Sequence, residues 1–311
     1  MEQNIILLVT NRGVRPNRTG ATLFKNKITK SDHRLRCAYV DPGSNKNKYK
    51  LSLVSEGDER QKLVDAMSNG NNKPWLFFVH GNNQTLDKNL EKCFKLRDLY
   101  DVNVLEFSWP SAHHGKIRAV IKYIPRQPVV GKYVSRQLKN KLKQYGKARI
   151  SAEDSASDLV KTLDLVRDAQ KESKRKVNFV SHSLGNYVLE NSHAHTSLSE
   201  SMAFFNNVVL HQADVDDIDH ASWVCEIKNT GRVVVTVNEK DKALEISNIY
   251  HNKTLKNSRL GNVKKESDNC SIEYKDFTGA KNIGFGGHTI FLTTPGENAQ
   301  IYDYFKTIIG E

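Results

Sequence analysis

The chain has 311 residues, 38% of them hydrophobic and 26% charged, a composition that excludes disordered, collagen-like and low-complexity proteins. No run approaches the roughly 18 apolar residues of a membrane helix, and the N-terminal NIILLV is too short and too little flanked by positive charge for a signal peptide, so the chain is expected to be cytoplasmic. The formal net charge is +12, and the segment 116 to 149 alone holds eleven Lys or Arg and no Asp or Glu.

A block of that sign attracts phosphate-bearing partners, whether lipid head groups, nucleic acid or an anionic small substrate; a solvated basic helix pair without a ligand reads equally well. Four cysteines, Cys37, Cys93, Cys225 and Cys270, stand far apart with no CxxC pair. They are expected to be reduced and mostly buried thiols, and they argue against a disulfide framework or a zinc site.

In chain order, apolar runs of strand length fall at 5–10, 35–40, 49–54, 75–80, 103–109, 177–182, 207–212, 232–238 and 271–277. The middle runs are nearly continuous in hydrophobicity, as strands buried on both faces of a parallel sheet require. Between them, 85–100 carries Leu86, Leu90, Phe94, Leu96 and Leu99 at helical spacing. A second helical face runs over 151–169, opened by Ser151 with Asp154 three residues on as an approximate capping box. The chain closes on 297–309, with Ile301, Tyr304, Phe305 and Ile308 on one side. No repeat or linker interrupts the alternation, which predicts one doubly wound α/β domain over 1–311, its mostly parallel central sheet covered by helices on both faces. Segment 116–149 is expected to be a basic insertion or lid within it.

The stretch VSHSLGN (180–186) ends a strand and opens a helix, at the sheet edge where open α/β folds place ligands. A serine there becomes nucleophilic only if a base takes its proton and the backbone lifts its hydroxyl clear; the sharp strand-to-helix elbow that does so needs small residues two before and two after. Gly185 satisfies the second position, and Ser181 replaces the usual glycine at the first. Ser183 is the candidate nucleophile, with an ordinary polar turn as the alternative. An oxyanion site needs the N–H of the next residue, Leu184, and another from a loop after an earlier strand. The loop HGNN (80–83) can supply it through Asn82, with Gly81 allowing close approach.

A base must follow, and of the eleven histidines only His288 sits in a loop before the terminal helix, behind the glycine-rich GFGGH (284–288). Two places offer the acid: Asp241 in NEKDKAL (238–244), preferred because it lies one strand beyond, and Asp216 in QADVDDIDH (212–220), held in reserve. Trp109, directly after a strand, either lines an acyl pocket or caps the core. A His193-x-His195 pair lacks a carboxylate or Cys companion nearby in sequence, and no metal site is expected.

Taken together, FVHGNNQT (78–85), FSWPS (107–111), SHSLGNYVL (181–189), ADVD (213–216), NEKDKAL and GGH (286–288), with a weaker echo in VTNRG (9–13), resemble the ordered blocks of a bacterial branch of the α/β-hydrolase superfamily generally described as having unknown function. The resemblance implies the α/β-hydrolase fold, Ser183 as nucleophile, Asp241 as acid, His288 as base, and the HGNN loop with Leu184 as the oxyanion site. The expected activity is hydrolysis of a carboxylic ester, thioester or lipid acyl ester through an acyl-enzyme, with no metal or organic cofactor, on a small-molecule or lipid substrate. Gly81, Trp109, Arg126 and Arg136 are placed at the substrate pocket or lid. The contrasting reading is a non-catalytic module of the same fold that binds anionic membrane or nucleic acid through its basic segment; no nucleic-acid-binding motif supports the latter partner.

Overall fold

In the computed structural model, residues 4–43, 48–69, 71–112, 136–228, 231–251, 258–263 and 270–310 are described. Nine strands, β1 (Ile6–Thr10), β2 (Arg36–Pro42), β3 (Tyr49–Leu53), β4 (Trp75–Val79), β5 (Asn103–Ser108), β6 (Val177–His182), β7 (Asn207–His211), β8 (Arg232–Val237) and β9 (Ile272–Asp276), correspond one for one to the nine apolar runs. They form one sheet in the order β3-β2-β1-β5-β4-β6-β7-β8-β9. Among the described strands only the β1–β2 and β2–β3 pairings are antiparallel; β1, β5, β4, β6, β7, β8 and β9 run parallel, so their carboxyl ends share one edge. This is the mostly parallel α/β-hydrolase architecture that the sequence predicts.

The helices are α1 (Glu59–Asn69), α2 (Leu86–Tyr100), α3 (Arg136–Asp154), α4 (Ala156–Ser173), α5 (Gly185–Ser192), α6 (Leu198–Ser201), α7 (Ala221–Val224), α8 (Lys242–His251) and α9 (Ala299–Ile309). Alternate residues of β4 show why its run is continuous. Phe77 and Val79 enter the core shared with α1, α4 and α5, whereas Leu76 and Phe78 enter the core shared with α2 and α9. All four are 0% exposed, which fixes the register, since a one-residue slip would exchange the two faces. Thr85 caps α2 by accepting from Lys88 N–H, and Asn298 caps α9 by accepting from Ile301 N–H.

Two expectations fail. Ser151 does not open a helix: α3 runs through it, and the break comes at Ser155, whose hydroxyl instead donates to the Ser151 carbonyl at 2.7 Å. The capping-box spacing is a short-range signal, and the continuous basic helix upstream overrides it. Nor are all four cysteines reduced, because Cys225 and Cys270 are joined in a disulfide across 45 residues, while Cys37 and Cys93 are free and buried. Among the described residues no helix is long and apolar enough to cross a membrane. Residues 113–135, and with them Arg126 and most of the basic segment, lie outside the described residues, as does the side chain of Arg136 at the start of α3.

Candidate active site

At the carboxyl end of β6, Ser183 adopts φ 55°, a left-handed conformation that costs a non-glycine residue on the order of 1–3 kcal/mol and is typical of strained functional turns. Its surroundings hold it there. Ser183 N–H donates to the His211 carbonyl at 3.0 Å, and the Asn186 side-chain amide donates to the carbonyls of Ser181 and Ser183, each at 3.1 Å. Gly185 leaves no room for a side chain: a Cβ would lie 2.8 Å from the carbonyl oxygens of both Val79 and His80. Ser181 fits the other small position, with its hydroxyl fully buried and without a hydrogen-bond partner.

The loop after β4 passes directly against this turn. A Cβ on Gly81 would stand 2.6 Å from Ser183 Cβ and 2.9 Å from the His182 carbonyl, so only glycine allows the approach. Among the described residues, neither Asn82 N–H nor Leu184 N–H donates to a protein acceptor. Leu184 directly follows Ser183 and Asn82 directly follows Gly81, and main-chain N–H groups without a protein acceptor are the kind of donor that stabilises an oxyanion.

His80 and Trp109 build the floor of the loop. Trp109 main-chain N–H donates to His80 Nε2 at 3.1 Å, which leaves the proton on Nδ1, and Nδ1–H donates to the Gly81 carbonyl at 2.8 Å. The indole Nε1–H donates to the His80 carbonyl at 2.8 Å, and the two rings stack with centroids 5.3 Å apart. Burial, with the Arg12 cation adding to it, holds the His80 imidazole well below its ordinary pKa and therefore neutral. Trp109 is fully buried, so it caps the core behind the loop and does not line an open pocket.

His288 and Asp241 meet: His288 Nδ1 lies 2.6 Å from Asp241 Oδ2. Asp241 is fully buried, and its other oxygen accepts from the N–H groups of Ala243 at 2.8 Å and Leu244 at 3.1 Å, where it caps α8. With its amide nitrogen facing the carboxylate, Gln212 donates to Oδ2 at 2.7 Å. The loop bearing His288 is pinned twice. Asn238 donates to the Gly287 carbonyl at 2.9 Å, lying where a Cβ on Gly287 (φ 62°) would fall, and His182 Nε2–H donates to the His288 carbonyl at 2.8 Å. The His182 and His288 ring centroids are 4.7 Å apart, so the histidine that precedes Ser183 in the turn is packed against and bonded to the His288 loop. Ser183 and His288 are not themselves hydrogen-bonded. Burial, and secondarily the facing His288, holds His182 well below its ordinary pKa.

Asp216 is elsewhere: its carboxylate forms an ion pair with buried Arg259, and the two residues are joined by an isolated β-bridge. His182, Asn238 and Gln212 have supporting roles that sequence spacing did not single out, although each lies within or next to a motif that was. The third aspartate of interest, Asp214, accepts from Tyr145 at 2.9 Å and from Ser247 in a buried cluster under α3 and α8.

A family model described as "Alpha/beta hydrolase of unknown function (DUF900)" matches residues 55–301. No curated protein matches the chain. A solved structure from a study of two fungal esterases from Rhizomucor miehei is similar at 9% identity and a TM-score of 0.42, over 99% of this chain and 85% of that chain, a likeness too slight to bear on activity.

Proposed function

Because the chain belongs to the α/β-hydrolase family of unknown function whose model spans most of it, we propose that it is a serine hydrolase that cleaves a carboxylic ester, thioester or lipid acyl bond through an acyl-enzyme. The observations that support this reading are the left-handed Ser183 on its turn against the Gly81 loop, and a histidine held 2.6 Å from a buried carboxylate whose loop is bonded to His182, the residue before Ser183.

In this mechanism Ser183 Oγ attacks the carbonyl carbon while His288 Nε2 takes its proton. Asp241 keeps the other imidazole proton on Nδ1 and stabilises the imidazolium. The oxygen that gains charge is met by the N–H groups of Asn82 and Leu184. Collapse of the tetrahedral species expels the alcohol or thiol, protonated by His288. Water then repeats the sequence and releases the acid. Ser183 and His288 come into hydrogen-bonding range on substrate binding, as catalytic contacts in free enzymes commonly do.

Ser183→Ala tests the reading. Wild-type protein is expected to take up a fluorophosphonate at Ser183 and to hydrolyse short p-nitrophenyl esters, and the variant to do neither. A variant that still labels and turns over would sink the assignment.

A further inference from the structure

Arg12 has no part in the chemistry proposed above, yet its side chain donates four hydrogen bonds close to the site. It belongs to the segment VTNRG (9–13), two residues past the end of β1, and it is 0% exposed. Burying a guanidinium costs several kcal/mol unless its donors are satisfied, and an apolar residue would fill the same space more cheaply. Here the donors are satisfied by a particular set of acceptors. Nε–H donates to Ser108 Oγ at 3.1 Å and Nη1 to Asn26 Oδ1 at 2.5 Å. Nη2 donates to two main-chain carbonyls, Gln84 at 3.1 Å and Trp109 at 2.5 Å.

Those two carbonyls matter because of where they sit. Gln84 ends the loop that begins at Gly81, and Trp109 begins the loop after β5. Trp109 in turn holds His80 by two hydrogen bonds, and His80 Nδ1–H holds the Gly81 carbonyl. A peptide unit is planar and trans, so fixing the Gly81 carbonyl toward His80 turns the Asn82 N–H of the same peptide to the opposite side. That N–H has no protein acceptor among the described residues. One cation thus clamps both ends of the loop: directly at Gln84, and through Trp109 and His80 at Gly81.

We infer that Arg12 is a positioning residue, which acts through Trp109, His80 and Gln84 to hold the Asn82 amide where an oxyanion would form; the inference rests on the serine-hydrolase reading. A planar fork with five donors can span Ser108, Asn26 and two carbonyls at once, whereas a lysine in its place reaches one or two. Such an amide contributes mainly when negative charge develops, so its displacement lowers kcat and leaves ground-state binding nearly unchanged.

The test compares wild type, Arg12→Lys and Trp109→Phe, the last keeping an aromatic ring while removing the Nε1–H bond to His80. Each is measured for kcat and KM on p-nitrophenyl butyrate, for inhibition by an alkyl boronic acid that adds to Ser183 as a tetrahedral mimic, and for melting temperature. Arg12→Lys is expected to lose about ten- to a hundred-fold in kcat and to weaken boronate inhibition in parallel, with KM changed less than about threefold. Trp109→Phe is expected to lose less, in the same pattern, and it decides the matter if Arg12→Lys does not fold. The inference is overturned if a folded variant keeps kcat and boronate affinity within about twofold of wild type, or loses activity only through KM. Wild-type protein that neither hydrolyses the ester nor binds the boronate at Ser183 would instead remove the hydrolase reading on which the role depends.

Discussion

Replacing Asp241 by asparagine exchanges one carboxylate oxygen for an NH2 group, and the surrounding bonds dictate which one. Asp241 Oδ1 accepts from two main-chain amides, Ala243 and Leu244, so the amide oxygen of the variant stays with them. The NH2 group then faces His288 Nδ1, where Oδ2 was 2.6 Å away, and also faces the Gln212 amide nitrogen. A donor now confronts a donor. The imidazole responds by moving its proton to Nε2, and in that tautomer it cannot accept the Ser183 proton. Loss of tautomer control of this kind costs about 10^4 in kcat in well-studied triads, and a fall of about 10^3 to 10^4 is expected here, or about 4–5.5 kcal/mol at 1.36 kcal/mol per tenfold. The fold is expected to survive, because asparagine caps a helix about as well as aspartate, within about 1 kcal/mol. The assay is steady-state hydrolysis of p-nitrophenyl butyrate alongside a thermal melt, with Asp216→Asn as the comparison. Asp216 is paired with Arg259, away from His288, and its variant is expected to keep kcat within about tenfold, well short of the loss from tautomer control. A folded Asp241→Asn enzyme within tenfold of wild type, or the larger loss appearing in Asp216→Asn, would refute the reasoning.

Glu106 in β5 is fully buried, accepts from Cys93 Sγ at 3.3 Å with one oxygen and has no partner for the other, and burial raises its carboxyl from the ordinary 4.5 to about 7. The folded state therefore binds this proton more tightly than the unfolded chain does, so its contribution to stability is whole below pH 4.5 and is lost as pH rises to about 7. Glu106→Gln, which cannot ionise, is expected to gain on wild type by up to about 3 kcal/mol across that window; urea denaturation at both ends checks it, and a constant gap would contradict it. The Cys225–Cys270 bond closes a loop of 45 residues, worth about 4 kcal/mol in the chain-entropy account. Thiol titration in denaturant is expected to find two thiols before reduction and four after, with the melting temperature of the doubly Ala-substituted protein lowered; four thiols without reductant would disprove the bond.

The central strands β1 and β4 to β8 were legible because they are buried on both faces, and continuous burial writes itself into composition whatever the tertiary detail. The turn at Ser183 was legible for a local reason: its tightness forces small residues at fixed offsets, and Gly185 answers to the Val79 and His80 carbonyls. Asp241 and Asp216 could not be separated along the chain, since both follow strands of the same edge; an ion pair with Arg259, 43 residues away, is what occupies Asp216. Trp109 had two readings for a similar reason. Its partner is His80, 29 residues earlier and just past the end of the neighbouring strand, and nothing in SWPS records that stacking. The disulfide and the Arg12 clamp are likewise long-range contacts between residues whose own neighbourhoods look unremarkable. Ser151 shows the converse: a good local signal is overruled when the helix before it continues.

Asp241 serves two structures with one side chain, as the first residue's cap for α8 and as the partner of His288. Fraying of the first turn of α8 and misalignment of the imidazole are therefore coupled through one carboxylate. Amide hydrogen exchange at Ala243 and Leu244 then reports on the site, since those two N–H groups are held by the same carboxylate that holds His288. A ligand that holds the imidazole in place would slow that exchange from some distance away, without touching the helix.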